Sequence, residues 1–326
     1  MAPRSVIIDC DPGHDDALAI LLALGSPEQL DVLAITAVAG NVPLALTERN
    51  ARKVCELAGR LDLRVHAGCA QPLVRNLITA EYAMGRSGLD GAEMPEPRMP
   101  LAEKHAVDAI IEILRSRPAA TVTLCPIGPL TNVAMALRKA PDIALRIKEI
   151  VLMGGAIGLG NVTPAAEFNI YVDPHAAQVV FEAGVPLVMH GLDVTHQALL
   201  TPDRLQAIRR IGTPLSRTVV GLLEFYGRPD PTRRGPPGAP LHDPCVIAYL
   251  LEPGLFRGRT CHVAIETQGE HTLGRTVVDW SGRTHLPPNA TVISEIDADG
   301  FFALLTERLA RLPLAPATAR PAAPPR

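Results

Sequence analysis

The chain has 326 residues, 47% of them hydrophobic, and a formal charge of −3 at pH 7. That length suits one large domain with a substantial core, or two small ones. The balanced charge leaves no basic footprint for nucleic acid or an anionic membrane, and no apolar run reaches the roughly 18–20 residues of a membrane span.

Val6-Ile7-Ile8 reads as a buried strand with Asp9 and Asp11 at its carboxyl end. Pro12-Gly13 turns the chain, and Asp15-Asp16 open a helix that continues through Leu22. A second strand over Asp31–Ala39 ends in Gly40-Asn41, followed by a helix from about Leu44 to Ala58 and a short strand near Leu63–His66. Residues 68–104 show no clear periodicity and read as a long loop, a kind of segment that is often functional. A helix over Ala106–Ser116 leads into a strand at Thr121–Pro126, the turn Ile127-Gly128-Pro129, and a helix with Thr131-Asn132 in its first turn. Strand Glu149–Met153 ends in Gly154-Gly155, and a polar loop then carries Asn161 and Glu167-Phe168-Asn169. Helix Pro174–Ala183 and strand Pro186–His190 complete the alternation. The pattern is helical from Thr201 to Tyr226, and Arg228–Pro240 is a Pro/Gly/Arg loop of the sort that covers a site. Asp243 starts a helix with Pro244 at its first position. Strand-like segments follow at His262–Thr267, Thr276–Trp280 and Thr291–Ser294, then a helix from about Ala298 to Leu312.

The alternation predicts an α/β fold: one doubly wound, mostly parallel sheet in a single large domain over residues 1–312, with a disordered Pro/Ala-rich tail at 313–326. Such sheets bind ligands beyond the carboxyl ends of their strands. The acidic stretch, Asn41, the 126–128 turn, the 154–169 loop and the residues after His190 would share that edge. The start of the chain lacks a secretory pattern, and Cys10, Cys55, Cys69, Cys125, Cys245 and Cys261 lack CxxC spacing. Buried, reduced thiols in a cytoplasmic enzyme are the expectation.

The chemistry concentrates in Asp9-Cys10-Asp11-Pro12-Gly13-His14-Asp15-Asp16, which holds four carboxylates in eight residues. Two carboxylates about 4 Å apart repel by about 4 kcal/mol at an effective dielectric near 20. A helix N-terminus offsets only about 0.3–1 kcal/mol of this per acid. A cation is expected among them, and with only oxygen ligands on offer a hard divalent one, Ca²⁺ or Mg²⁺, is the first candidate.

This stretch resembles the DxDPGxDD signature of the nucleoside hydrolases, the inosine–uridine-preferring ribonucleoside N-glycosidases. Ala39-Gly40-Asn41, Gly128–Asn132, Met153-Gly154-Gly155, Glu167–Pro174, Gly191–His196 and His242-Asp243-Pro244 are also similar to family segments, in order, from about residue 5 to 312. The resemblance implies the nucleoside hydrolase fold and a Ca²⁺ ion held by Asp11, Asp16, Asp243 and the main-chain carbonyl of Ile127. It makes Asp11 the base that takes a proton from a water on the ion. Asp15, Asn41 and Asn169 would serve the sugar hydroxyls or the metal shell, Asn161 and Glu167 the 5′-hydroxyl, and Met153 would pack beneath the ribose. His242 would be the acid to the leaving base. It further implies a ribonucleoside substrate and a homodimer or homotetramer. One departure is clear: where the family commonly has H-G-E-S-G, this chain has Met84-Gly85-Arg86-Ser87-Gly88. Methionine carries no proton to give there.

His14 is expected to be non-catalytic and His190 and His196 structural, and Phe225 and Tyr226 either to stack on the base or to pack the core. The base-facing loops (76–91 and 224–241) are the least patterned, so the preferred base is not legible. Two other readings compete: a Mg²⁺-dependent phosphotransferase using a DxD aspartate, and a nucleoside- or ribose-binding relic without turnover.

Overall fold

The computed structural model describes residues 2–228 and 238–312. β1 (Arg4–Cys10), β2 (Leu30–Ala37), β3 (Val65–Ala67), β4 (Val122–Pro126), β5 (Ile147–Met153) and β6 (Leu187–His190) form a parallel sheet in the order β3-β2-β1-β4-β5-β6. Strand Ala290–Ile296 pairs parallel with β6, and Phe256–Cys261 closes the sheet of eight as an antiparallel edge.

Both faces are covered, which is why the strands read as apolar runs and not as alternating ones. Val6, Ile8 and Cys10 of β1 face a core built with helix α1 (His14–Leu24) and helices Pro214–Tyr226, Pro244–Leu251 and Ala298–Arg311. Ile7 faces the other core, with helices Ala106–Ser116, Thr131–Lys139 and Pro174–Phe181. β1 is flanked by β2 on one side and β4 on the other, so the strand order reverses at β1. The crevice beyond that reversal is where such sheets take ligands.

The predicted α/β class and the parallel core hold. Three local expectations change. Thr201–Tyr226 is two helices, Pro202–Arg210 and Pro214–Tyr226, each begun by a threonine cap with proline at the first position. The 68–104 loop contains a one-turn helix, Glu81–Met84. Strand Phe256–Cys261 was hidden because its interior, Arg257 to Thr260, is exposed and polar, as suits an edge. Of the loop expected over Arg228–Pro240, residues 229–237 lie outside the described residues, as does the 313–326 tail. No helix among the described residues is long and apolar enough to cross a membrane.

His190, at the end of β6, is fully buried, edge-on to Tyr249 and Phe256, and neither ring nitrogen has a hydrogen-bond partner. Burial pushes its pKa down to about 3. Below the ordinary histidine value the unfolded chain binds a proton that the folded chain refuses, so this group's contribution is whole above about pH 6.5 and is lost as pH falls toward 3. At 1.36 kcal/mol per pH unit, the loss is about 2–3 kcal/mol by pH 4.5. Urea unfolding at pH 7 and 4.5 should show the His190→Leu variant losing less stability than the unaltered chain over this interval; equal losses would contradict the assignment.

Candidate active site

The crevice is built from the end of β1 outward. Asp9 lies opposite Thr36 of β2, whose hydroxyl donates to its Oδ1 at 2.5 Å, and Asn132 donates to the same oxygen at 2.8 Å. Its Oδ2 has no partner, and burial pushes the carboxyl up to about 7. Asp9 therefore faces inward and ties β1 to β2 and to helix Thr131–Lys139.

Two residues on, Asp11 Oδ2 accepts the Asn41 backbone N–H at 2.6 Å, while Oδ1 is buried without a partner. A methyl carbon at Gly40 would lie 2.1 Å from Asp11 Oδ2, and one at Gly128 would lie 2.4 Å from Oδ1. Asp11 is thus wedged between the ends of β2 and β4, and both glycines are required by close approach. Gly40→Ala should lower kcat about 100-fold, since displacement by about 1 Å can cost that much. Steady-state rates beside a thermal melt test this; undiminished turnover in the folded variant would contradict it.

Pro12-Gly13 then turn the chain from β1 into α1. Asp16, in its first turn, accepts from the N–H groups of Asp11 at 3.1 Å and Gly13 at 3.0 Å, and from Asn41 Nδ2 at 3.2 Å. Asp243 arrives as the cap residue of helix Pro244–Leu251, which packs against α1. Carboxylate oxygens of Asp15, Asp16 and Asp243 all lie within 4.8 Å of one another. Asp15 Oδ1 is a second buried oxygen without a partner.

Burial raises the pKa of all four acids that meet here. For Asp11 the next cause is Asp16, and for Asp243 it is Asp15, Asp16 and Asp11 in turn. Buried oxygens without donors, beside carboxylates that repel one another, fit a hard divalent cation.

Around this floor, Asn169 Nδ2 donates to the carbonyls of Ile127 at 3.0 Å and Met153 at 3.2 Å. Glu167 caps the short helix Phe168–Val172, accepting from Asn169, Ile170 and Gly155 backbone N–H groups at 2.9, 3.1 and 2.9 Å. Burial nonetheless pushes its carboxyl up to about 7. Asn161 Oδ1 accepts from Phe168 N at 3.0 Å. His242 Nδ1 lies 2.7 Å from the Thr195 hydroxyl.

A cavity of about 310 Å³ joins Asp15, Asn41, Ile127, Met153, Asn161, Glu167, Asn169, His242 and Asp243. Its other wall is apolar and aromatic: Ala80, Tyr82, Ala83, Met84, Phe168 and Tyr226. Asp11 and Asp16 lie beneath it and not on its wall. A larger groove, about 1190 Å³, lies between β3 and helix Ala106–Ser116 and contains none of the predicted site residues.

Of the residues weighed at the base, Tyr226 lines the cavity, and both it and Phe225 stack on His14. Sequence reasoning missed the wedge of Gly40 and Gly128, the Thr36 and Asn132 brace, and Thr195. The only signal for Thr195 was its place in Gly191–His196, beside the end of β6.

Comparison with known proteins agrees with this geometry. The family pattern described as inosine-uridine preferring nucleoside hydrolase matches residues 6–303. A pyrimidine-specific ribonucleoside hydrolase RihA from Photobacterium profundum is 50% identical over 310 residues, covering 94% of this chain and 99% of that protein. RihA from Citrobacter koseri is 51% identical over 306 residues, covering 94% and 97%. Among solved structures, a purine-preferring ribonucleoside hydrolase from Gardnerella vaginalis superposes with a TM-score of 0.88 at 33% identity, covering 95% of this chain and 99% of that one. The chain belongs to the inosine-uridine preferring nucleoside hydrolase family and is an N-glycosidase of ribonucleosides.

Proposed function

We propose that the chain releases free base and ribose from pyrimidine ribonucleosides in a Ca²⁺-dependent reaction. The observation that carries the reading is the acidic floor, where Asp243 meets Asp15 and Asp16 from more than two hundred residues away. The choice of pyrimidine follows the relatives near 50% identity over the purine-preferring one at 33%.

Asp11, Asp16, Asp243 and the Ile127 carbonyl would hold the ion. Together with two sugar hydroxyls and water they exceed six oxygen ligands, which favours Ca²⁺ over Mg²⁺. When bound, the ion would acidify a water and offset the repulsion among the carboxylates. Asp11, whose Oδ1 has no partner and whose Oδ2 is held by Asn41, would take the proton of the attacking water. Ordinary aspartate is a weak base, with a pKa near 3.9, but it suffices against an acidified water.

Asp15, Asn41 and Asn169 would hold the 2′- and 3′-hydroxyls, and Asn161 and Glu167 the 5′-hydroxyl, with Met153 beneath the ribose. Positive charge that develops at the anomeric carbon would face fixed carboxylates and amide oxygens. His242, held by Thr195, is the group on the cavity wall suited to pass a proton to the departing base.

Met84 favours a second reading, a nucleoside-binding relic that lost turnover. The phosphotransferase loses ground, because among the described residues the cavity wall carries no lysine or arginine to meet phosphate. A panel of ribonucleosides assayed with and without EDTA separates the three. Chelator-sensitive release of base and ribose supports the hydrolase, binding without release the relic, and phosphoryl transfer the third. The reading includes a cytoplasmic location, supported by six unpaired cysteines. It also includes a homodimer or homotetramer, supported by the family resemblance and testable by sedimentation.

A further inference from the structure

We propose that His14 is a base-recognition residue, whose Nδ1 accepts a hydrogen bond from an N–H on the edge of the nucleobase once the Met84 side chain swings aside. The inference rests on the ribonucleoside reading of the cavity.

His14 has no solvent exposure, and its ring packs against Phe225 and Tyr226, with centroids 5.4 and 5.5 Å away and planes tilted by 18° and 26°. Nε2 lies 2.7 Å from the Asp90 main-chain oxygen. A carbonyl only accepts, so Nε2 carries the proton and Nδ1 of the neutral ring presents a lone pair. The atom facing Nδ1 is Met84 Sδ, at 3.4 Å. A thioether has no proton to give. The nitrogen is therefore a buried acceptor facing a neighbour that cannot donate, an arrangement that costs stability unless a ligand completes it.

The intervening layer is one side chain deep. Met84 lines the cavity and His14 does not. Met84 ends the one-turn helix Glu81–Met84 and is followed by Gly85 at φ +79°, so the backbone behind it turns sharply. Its sulfur rests on Gly13, where a methyl carbon would approach it to 3.0 Å. An unbranched thioether on three rotatable bonds is the side chain best able to move from such a seat. The hydroxyls of a bound ribose would be taken by Asp15, Asn41, Glu167 and Asn169, which leaves base N–H groups as the donors facing the Met84 wall.

The test compares kcat/KM for uridine and for 3-methyluridine, whose N3 carries no proton, in the unaltered enzyme, His14→Phe and Met84→Leu. His14→Phe keeps a ring packed against Phe225 and Tyr226 and removes the acceptor. Met84→Leu keeps the wall but stiffens the cover. The unaltered enzyme should favour uridine about tenfold, the scale set by one unpaired buried polar group. That ratio should fall to within about twofold of unity in His14→Phe, and at least threefold in Met84→Leu. No preference for uridine in the unaltered enzyme, or an unchanged ratio in His14→Phe, overturns the inference while leaving the hydrolase intact. If His14→Phe does not fold, an unchanged ratio in Met84→Leu overturns it instead. Failure of the unaltered enzyme to hydrolyse any nucleoside removes both readings.

Discussion

Asp11→Asn should lower kcat for ribonucleosides about 10³-fold, within the range expected of a lost general base. In the presence of EDTA the same variant should be more stable than the unaltered chain. The two effects share one cause. Asp11 is buried, one of its oxygens has no donor, and Asp16 repels it, so its charged form is disfavoured without a cation. An asparagine keeps the shape, lets its oxygen accept from Asn41 N, and removes the charge. Urea midpoints in EDTA, measured with single-turnover rates, check the pair of outcomes. A destabilised variant would mean that the carboxylate braces the fold, and retained turnover would move the base elsewhere.

The second large effect concerns the sugar. kcat/KM for 2′-deoxyuridine should fall about 10⁴-fold below that for uridine, because a site built for a hydroxyl strongly rejects the analogue lacking it. Asp15 Oδ1 is a buried acceptor without a donor, and Asn41 and Asn169 stand on the same wall. Without the 2′-hydroxyl these groups enter the transition state unpaired. Similar values for the two substrates would sink the assignment of this end of the cavity to ribose.

The parallel core was legible because buried strands and their crossover helices leave a strong imprint: Val6-Ile7-Ile8 before an acidic turn, and Ala106–Ser116 with its wide apolar face. The strand Phe256–Cys261 left no such imprint, because an edge strand with four exposed residues resembles a loop. At the site, the acids were legible as residues that repel one another in sequence. Their meeting with Asp243 rests on tertiary packing of helix Pro244–Leu251 against α1, which only the family resemblance could anticipate. Gly40 and Gly128 lay in segments similar to the family's, but nothing local to them showed the wedge. Their requirement arises from a carboxylate arriving from another strand. His14 reads in the sequence as non-catalytic; it is buried, and the atom facing its Nδ1 belongs to Met84, the residue that departs from the family pattern. Such a pairing crosses seventy residues and is invisible to periodicity.

The central claim is that buried carboxylates make ribose release depend on one divalent ion. The measurement is a titration of the chelator-stripped enzyme with Ca²⁺, following uracil and ribose release from uridine together with bound metal per chain. Activity should be absent in the stripped enzyme and return in step with the first equivalent of Ca²⁺ per chain. Full turnover by a chain shown to hold no metal would contradict the account.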